Sequence, residues 1–398
     1  MRIAIVALTV PWPADSGGKL RSYHLFTTLA HHHAVDLYSV AYGVPPHGGS
    51  DSRPLVQRLR RITVVALGSH YTNWQRVRDL FAPVPRSVSY FATRQSLATL
   101  TPQLQQGYDL LICDELGMAP YILQAQKKLA TPALLMRQKI DHQHYGELAA
   151  YKPLGVGKVL DRLEARRLLR YEARVVGQFD AAVVCSPDDQ AITLQQAPHC
   201  RVAVVPNGAD TAYYTPQRQP DPKPTLLFLG AMDYYPNIDA IQHFCSHSWP
   251  LLRTMLPDLQ LLIVGRQPTA AVSQLGQLPG VTVTGSVPDV RPYLARSWVM
   301  VVPLRLGGGT RLKIAEAMAA GLPVVTTAVG AQGLPVVHGR HLLLAETSAR
   351  FTDAVQQLLT NVPLREELAQ NARLLVESEL SWQALGRQFT QICEEVGH

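Results

Sequence analysis

Short apolar runs alternate with stretches of helical period along the whole chain. In the first half the runs are Ile3–Leu8, Val35–Val40, Ile62–Leu67, Leu110–Cys113, Ala133–Met136, Ala181–Cys185 and Val202–Val205. Most are nearly continuous in Val, Ile, Leu and Ala, although Val35–Val40 also carries Asp36, Tyr38 and Ser39, and such runs predict strands covered on both faces. Between several of them lie segments long enough for parallel crossovers, notably the Arg-rich stretch from Lys158 to Gln178. The second half repeats the pattern with Thr225–Leu229, Gln260–Val264, Val281–Thr284, Val299–Val302 and Pro323–Thr326. Helical patterns from Ser348 to Thr360, Leu364 to Glu377 and Trp382 to Glu395 close the chain. The alternation predicts an α/β protein built on parallel sheets wrapped in helices.

The pattern breaks once. PNGADTAYYTPQRQPDPKPT carries a turn signal at Asn207-Gly208 and four prolines between Thr215 and Thr225, so it reads as an interdomain linker. At 398 residues, 47% hydrophobic and 17% charged, the chain has apolar material for two cores. The expected division falls at 206/207. No internal repeat of solenoid period is present.

Chemistry concentrates in RLGGGTRLKIAEAMAAGLPVVTT, residues 305–327. Thr310 is the expected N-cap, which places Arg311 and Lys313 in a first turn where the helix dipole disfavours cations by about 0.3–1 kcal/mol each. An anion belongs there. Gly307, Gly308 and Gly309 free the backbone to approach a ligand, and the unpaired N–H groups of a first turn suit a phosphate or diphosphate. Glu316 is the only acid between Arg311 and Glu346; among apolar neighbours it needs a specific donor, such as a ribose diol, unless it pairs with Lys313. Gly321 closes the helix and Pro323 prevents its return.

The loop after the first strand, TVPWPADSGGKLRSYHL, offers Ser16 as a helix cap and Gly17 and Gly18 as points of close ligand approach. It is not GxGxxG, and a dinucleotide site is disfavoured.

The formal charge of +7 is unevenly placed: residues 1–220 hold 24 Lys and Arg against 16 Asp and Glu, and the remainder 13 against 14. The basic first half suits an anionic partner, including peripheral contact with an anionic membrane surface. Arg58, Arg60, Arg61, Arg76 and Arg78, with Trp74 and Phe81, form either an interfacial patch or an ordinary surface helix. No nucleic-acid module accompanies the charge. Five scattered cysteines (Cys113, Cys185, Cys200, Cys245, Cys393) suggest neither a disulfide framework nor a zinc site. With no signal peptide and no apolar run of spanning length, the expectation is a cytoplasmic protein, at most peripheral on the inner face of the membrane.

Taken together, IAIVALTVPWPADSGGKLRSYHL, LRYEARVVGQFDAAVVCSPDDQ, VVPNGADTAYY, FLGAMDYYPNIDAI, LLIVGR, VTVTGSVPDV, GGGTRLKIAEAMAAGLPVVTT and VGAQGLPVVHGRHLLLAE resemble, in order and spacing, the family 4 glycosyltransferases. The chain resembles especially the bacterial surface-polysaccharide sugar transferases of exosortase-type systems. The resemblance implies a GT-B fold: two Rossmann-like domains facing a central cleft, 1–206 receiving the acceptor and 207–380 the donor, with the last helix, 381–398, crossing back to the first. The implied activity is metal-independent sugar transfer with retained anomeric configuration, from a UDP- or GDP-type donor to a glycan, lipid-linked or small-molecule acceptor. No Asp-x-Asp string is present.

By the same resemblance, Glu316 binds the ribose, Arg311 and Lys313 face the diphosphate, and Gly17 and Gly18 lie beside it. Gly230, Arg266 and Val287 belong to donor loops, Val287 reading the base edge. Many family members carry a Glu where this chain has Gly308, so backbone amides of Gly308 and Gly309 would have to meet the donor sugar. RQKIDHQHYGEL loosely matches an Arg-His-Asn-Val-Glu string, with Gln138 at the His and Asp141 and His142 as candidates to contact sugar hydroxyls. The helix-ending triplet His31–His33 needs no metal to explain it. Two other classes stay open: a nucleotide-sugar epimerase on the same fold, and a non-catalytic glycan- or membrane-binding protein.

Overall fold

The computed structural model describes residues 1–41, 53–67, 82 and 84–398. Trp74, Arg76, Arg78 and Phe81 lie outside the described residues. The chain separates into two compact units, one comprising Met1–Pro206 with Gln383–His398, the other Asn207–Trp382.

The first unit holds a seven-stranded sheet: β1 (Arg2–Ala7), β2 (Ala34–Ala41), β3 (Arg61–Ala66), β4 (Leu110–Asp114), β5 (Ala133–Met136), β6 (Ala181–Val184) and β7 (Arg201–Val204). The strands run parallel in the order β3-β2-β1-β4-β5-β6-β7. β1, β4, β5 and β6 are almost wholly buried, as continuous apolar strands between two helical layers should be.

The second unit holds β8 (Thr225–Leu229), β9 (Gln260–Val264), β10 (Val281–Gly285), β11 (Val299–Val302), β12 (Val324–Thr326) and β13 (Leu343–Leu344). They too are parallel, in the order β10-β9-β8-β11-β12-β13. β13 is not among the sequence expectations, because two residues in HLLLAE are too short for a periodic signal. In each sheet the strand order reverses once, between β1 and β4 and between β8 and β11, and the carboxyl ends of strands at such a reversal form a crevice that suits ligands.

The final helix, Trp382–Gly397, belongs with the first unit except for its first residue. Leu385, Phe389, Ile392 and Cys393 form its buried stripe at helical spacing. Gly386 permits the contact: a Cβ there would lie 2.3 Å from Thr28 Oγ1. Gln388 donates to the Val204 carbonyl (3.1 Å), and His33 pairs with Glu394 (3.0 Å).

The proline-rich segment is not a free linker. Gln219 and Asp221 amides donate to the Ala295 and Arg296 carbonyls, Arg218 donates to the Leu294 carbonyl, and Trp298 Nε1 donates to the Asp221 carbonyl. These bonds tie it onto the second unit. Pro removes competing amide donors and keeps the strap extended, so composition alone resembles a linker while the remaining donors fasten it.

Candidate functional site

At the reversal in the second sheet, β8 leads into Gly230 and β11 into the glycine loop. Arg305 starts that loop with a two-pronged ion pair to Asp239 (2.6 and 3.0 Å), which anchors it to the helix Tyr235–His247. Gly307 and Gly309 have φ of +101° and +76°, a region that favours glycine. Gly308 differs: it is exposed, and a Cβ there would meet nothing within 4 Å.

The following helix is Leu312–Ala319, with Arg311 rather than Thr310 at its N-cap position. Thr310 fails as a cap because its hydroxyl accepts from the Asn207 amide (3.1 Å). Arg311 turns back onto the loop, donating to the carbonyls of Gly308 (2.7 Å) and Gly307 (2.5 Å). The helix ends as its sequence implies: Gly321 has φ +70°, its amide donates to the Met318 carbonyl, and the Leu322 amide donates to the Ala317 carbonyl.

Lys313 is brought beside Gly230. Its Nζ donates to Asn237 Oδ1 (2.8 Å) and lies 4.9 Å from the centre of the Phe228 ring. Asn237, only 5% exposed, donates in turn to the Ala231 carbonyl (2.9 Å). A Cβ on Gly230 would come within 2.6 Å of Asn237 Nδ2 and 2.9 Å of Lys313 Nζ. Burial, reinforced by the Arg311 charge, lowers the Lys313 pKa to about 7.

Glu316 finds its donor in Tyr214, and no ion pair joins it to Lys313 among the described residues. Burial raises its pKa to about 7, against the lowering effect of the Tyr214 hydroxyl and then of Lys313. Asp210 accepts the amides of Ala212 and Tyr213 (3.0 Å each) and so shapes the turn that delivers Tyr214. Arg373 fastens the same turn by donating to the carbonyls of Tyr214 (2.6 Å) and Thr211 (3.1 Å). Tyr214, Asn237 and Arg373 are absent from the candidates drawn from sequence.

Gly265, after β9, packs against this site. A Cβ there would fall 1.6 Å from the Gly230 carbonyl oxygen, so close approach requires glycine. The Arg266 carbonyl accepts the Met232 amide (2.8 Å), while its side chain is exposed and hydrogen-bonds to no described residue. Val287 is half-buried against the core of the unit.

In the first unit the corresponding reversal lies between β1 and β4. The helix Gly17–His32 begins there, but Ser16 makes no side-chain cap bond. Gly18 is covered by Gln138, whose Oε1 would lie 2.2 Å from a Cβ at that position. Gln138 Nε2 reaches Ser22 Oγ (3.1 Å) and Asp114 Oδ1 (3.2 Å), and Ser22 donates to Asp114 Oδ2 (2.8 Å). Gly18 is therefore backed by side chains of its own unit. Glu115, next along, holds φ +74° without being glycine, and burial raises its carboxyl pKa to about 8.

Asp141 and His142 open the helix Asp141–Tyr151. Burial raises the Asp141 pKa to about 6, against the lowering effect of Lys139. His142 Nδ1 lies 2.7 Å from Glu172 Oε2, and its amide donates to Glu172 Oε1 (2.9 Å). Glu172 is fully buried and also receives Gln196 Nε2 (2.7 Å) and Arg137 (2.8 Å). Burial works to raise its pKa, yet the His142 bond and the Arg137 charge prevail and hold it below the usual range. An ionised Glu172 requires a hydrogen on His142 Nδ1. Sequence reasoning placed Glu172 only within a crossover helix.

Among the described residues, no group of three or more His, Cys, Asp or Glu is placed to hold a metal, no helix is long and apolar enough to cross a membrane, and all five cysteines are buried and unpaired.

Residues 223–361, which include Gly230, Arg266, Val287 and the 305–327 segment, match the family profile described as Glycosyl transferases group 1. Over the whole chain, the sucrose-phosphate synthase of Thermosynechococcus elongatus superposes with a TM-score of 0.74 at 19% identity, covering 99% of this chain and 98% of that one. The Anabaena protein HepE, solved with UDP and glucose, gives 0.69 at 15%, covering 99% of both chains. A GDP-mannose-dependent mannosyltransferase acting on a monoacylated phosphatidylinositol mannoside, from Corynebacterium glutamicum, is 26% identical over 48% of this chain and 55% of its own length. The chain spans about half the length of the curated relatives it matches. The fold is GT-B, two Rossmann-like units with parallel sheets, and its second unit carries the glycosyl transferases group 1 match.

Proposed function

We propose that this chain is a retaining glycosyltransferase that moves a sugar from a nucleotide-diphosphate donor to a hydroxyl of a glycan, lipid-linked or small-molecule acceptor in surface glycoconjugate synthesis. The observation that carries the reading is the convergence of Lys313, Asn237, Gly230 and the glycine loop at the carboxyl ends of β8 and β11, with Glu316 one helical turn further on. Relatives that bind UDP or use GDP-mannose support it.

In this reading the second unit binds the donor. Lys313, in its protonated form, and the first-turn amides take the diphosphate, and Arg311 exchanges its loop carbonyls for phosphate oxygens. Glu316 exchanges or shares its Tyr214 donor with the ribose diol. Gly230 keeps the floor open, Gly265 lets the β8 and β9 ends meet, and Arg266 and Val287 border the nucleotide. With a glycine at 308, the amides of Gly308 and Gly309 address the donor sugar.

The bond that breaks joins the anomeric carbon to the phosphate oxygen. Charge growing on the diphosphate is met by cations and N–H groups already in place, which lowers the barrier without a metal. The acceptor hydroxyl attacks from the face the phosphate leaves and passes its proton to a phosphate oxygen. The first unit, with its basic excess, receives the acceptor, and Asp141 and His142 contact sugar hydroxyls there, near the Gly17-Gly18 turn. The protein works on the cytoplasmic side, in peripheral contact with an anionic membrane.

The test is a thermal-shift screen of UDP-, GDP-, ADP- and TDP-sugars followed by transfer assays, since a ligand of the folded state raises its apparent stability. One nucleotide class should raise Tm; none doing so, at millimolar concentration, overturns the reading. Donor alone yielding an epimer would make it an epimerase.

A further inference from the structure

At the amino ends of the second sheet's strands lies a cavity of about 640 Å³, within the range of small-molecule sites. Pro323 immediately precedes β12, and Pro216 and Pro220 lie on the strap leading into β8, so the cavity opens at the amino ends of the strands, away from Gly230 and the glycine loop. Its apolar wall is made of these prolines and Leu374, which is 63% exposed.

Two arginines line it whose guanidiniums have no carboxylate partner among the described residues. Arg218 donates to the Leu294 carbonyl (2.8 Å), and Arg365 donates to the Leu358 carbonyl (2.9 Å) and lies 4.6 Å from the Trp298 ring centre. Neither forms an ion pair among the described residues, and Glu366 is the single acid in the lining. Burial lowers the Arg218 pKa to about 10, and the Arg365 charge adds to the effect. Two partly dehydrated cations that repel one another are costly until an anion joins them, and paired guanidiniums suit the geometry of a phosphate.

We infer that this cavity is a second ligand site, for a phosphate monoester carried on a ring that lies against the proline and leucine wall, and that its occupancy weakens nucleotide binding at Glu316. The route is Arg373, which lines the cavity and also donates to the carbonyls of Tyr214, Thr211 and Ala319. A phosphate that draws Arg373 loosens the turn holding Tyr214 against Glu316. The binding claim stands alone; the coupling rests on the nucleotide reading above.

Phenyl phosphate is the probe, titrated calorimetrically into the full chain, with phenol and inorganic phosphate alongside. Phenyl phosphate should bind at least tenfold more tightly than either. Arg218→Gln with Arg365→Gln should weaken it at least tenfold, and so should Leu374→Glu, a surface change that keeps both arginines and sets a negative charge at the rim. Lys313→Gln should leave it unchanged. Equal binding of phosphate and phenyl phosphate, indifference to Leu374→Glu, or loss in Lys313→Gln would overturn the site. Saturating phenyl phosphate should raise the Kd for UDP at least threefold in the wild type and not in Leu374→Glu; an unchanged UDP Kd would overturn the coupling. If UDP fails to bind at all, the nucleotide reading falls while the titrations without UDP still decide the site.

Discussion

The Lys313 ammonium donates to the side-chain oxygen of Asn237 over 2.8 Å, in the space that a side chain on Gly230 would otherwise occupy. A buried cation held by a neutral amide is poised to exchange a weak partner for a strong one, a diphosphate.

Lys313→Met should therefore separate stability from function. The folded protein releases this proton near pH 7 and the unfolded chain near 10.5, so between those values the unfolded state holds more protons and wild-type stability rises with pH. Below pH 7 the burial cost is fully present. The methionine variant should melt higher than wild type at pH 6, by about 2–4 °C per kcal/mol relieved, with the gain shrinking toward pH 10, while UDP affinity falls at least tenfold. Scanning fluorimetry across pH and calorimetry check both.

Nucleotide affinity should peak near pH 7. Binding favours protonated Lys313 and ionised Glu316, each with a pKa of about 7 in the free protein. Complex formation should take up protons at pH 8 and release them at pH 6, which calorimetry in buffers of different ionisation enthalpy reads directly. Tyr214→Phe removes a bond that lowers the Glu316 pKa, so the acid limb should move to higher pH; an unmoved limb would mean Glu316 is not the titrating group.

Gly308→Glu should fold normally, because the position is open and its φ lies outside the left-handed region. Tm should stay within about 2 °C of wild type, as expected for a surface change away from packed groups. UDP affinity should hold while preference among UDP-sugars shifts by at least threefold in kcat/KM. An unchanged preference would exclude this position from sugar selection.

His142→Ala should lower kcat at least tenfold with little change in the KM for donor, and leave Tm near wild type, since Glu172 keeps Arg137 and Gln196. Glu172→Ala should instead cost about 3–5 kcal/mol of stability by stranding the buried Arg137 charge. Urea unfolding and steady-state kinetics distinguish the two, and a His142→Ala enzyme with full activity would remove His142 from the site.

What the sequence determined is local. Thr225–Leu229, Gln260–Val264, Val299–Val302 and Ser348–Thr360 stand where their apolar periods place them, because the period of burial is a property of one element and its neighbours in sequence. The parallel α/β class and the stop at Gly321 follow for the same reason: side-chain alternation, crossover length and a left-handed glycine are written within short windows.

What the tertiary structure alone decided is pairing. Lys313 meets Asn237 across 76 residues and His142 meets Glu172 across 30, while Thr310 is diverted from capping by Asn207 and Glu316 is met by Tyr214. The proline strap is fastened in the same way, by carbonyls at 294–296 that no local pattern reveals. A period shows that a residue faces inward. Which partner it finds there depends on how separate elements are set against each other, and over distances of a few ångströms that setting decides whether a cation, an acid or a strap is free, paired or held.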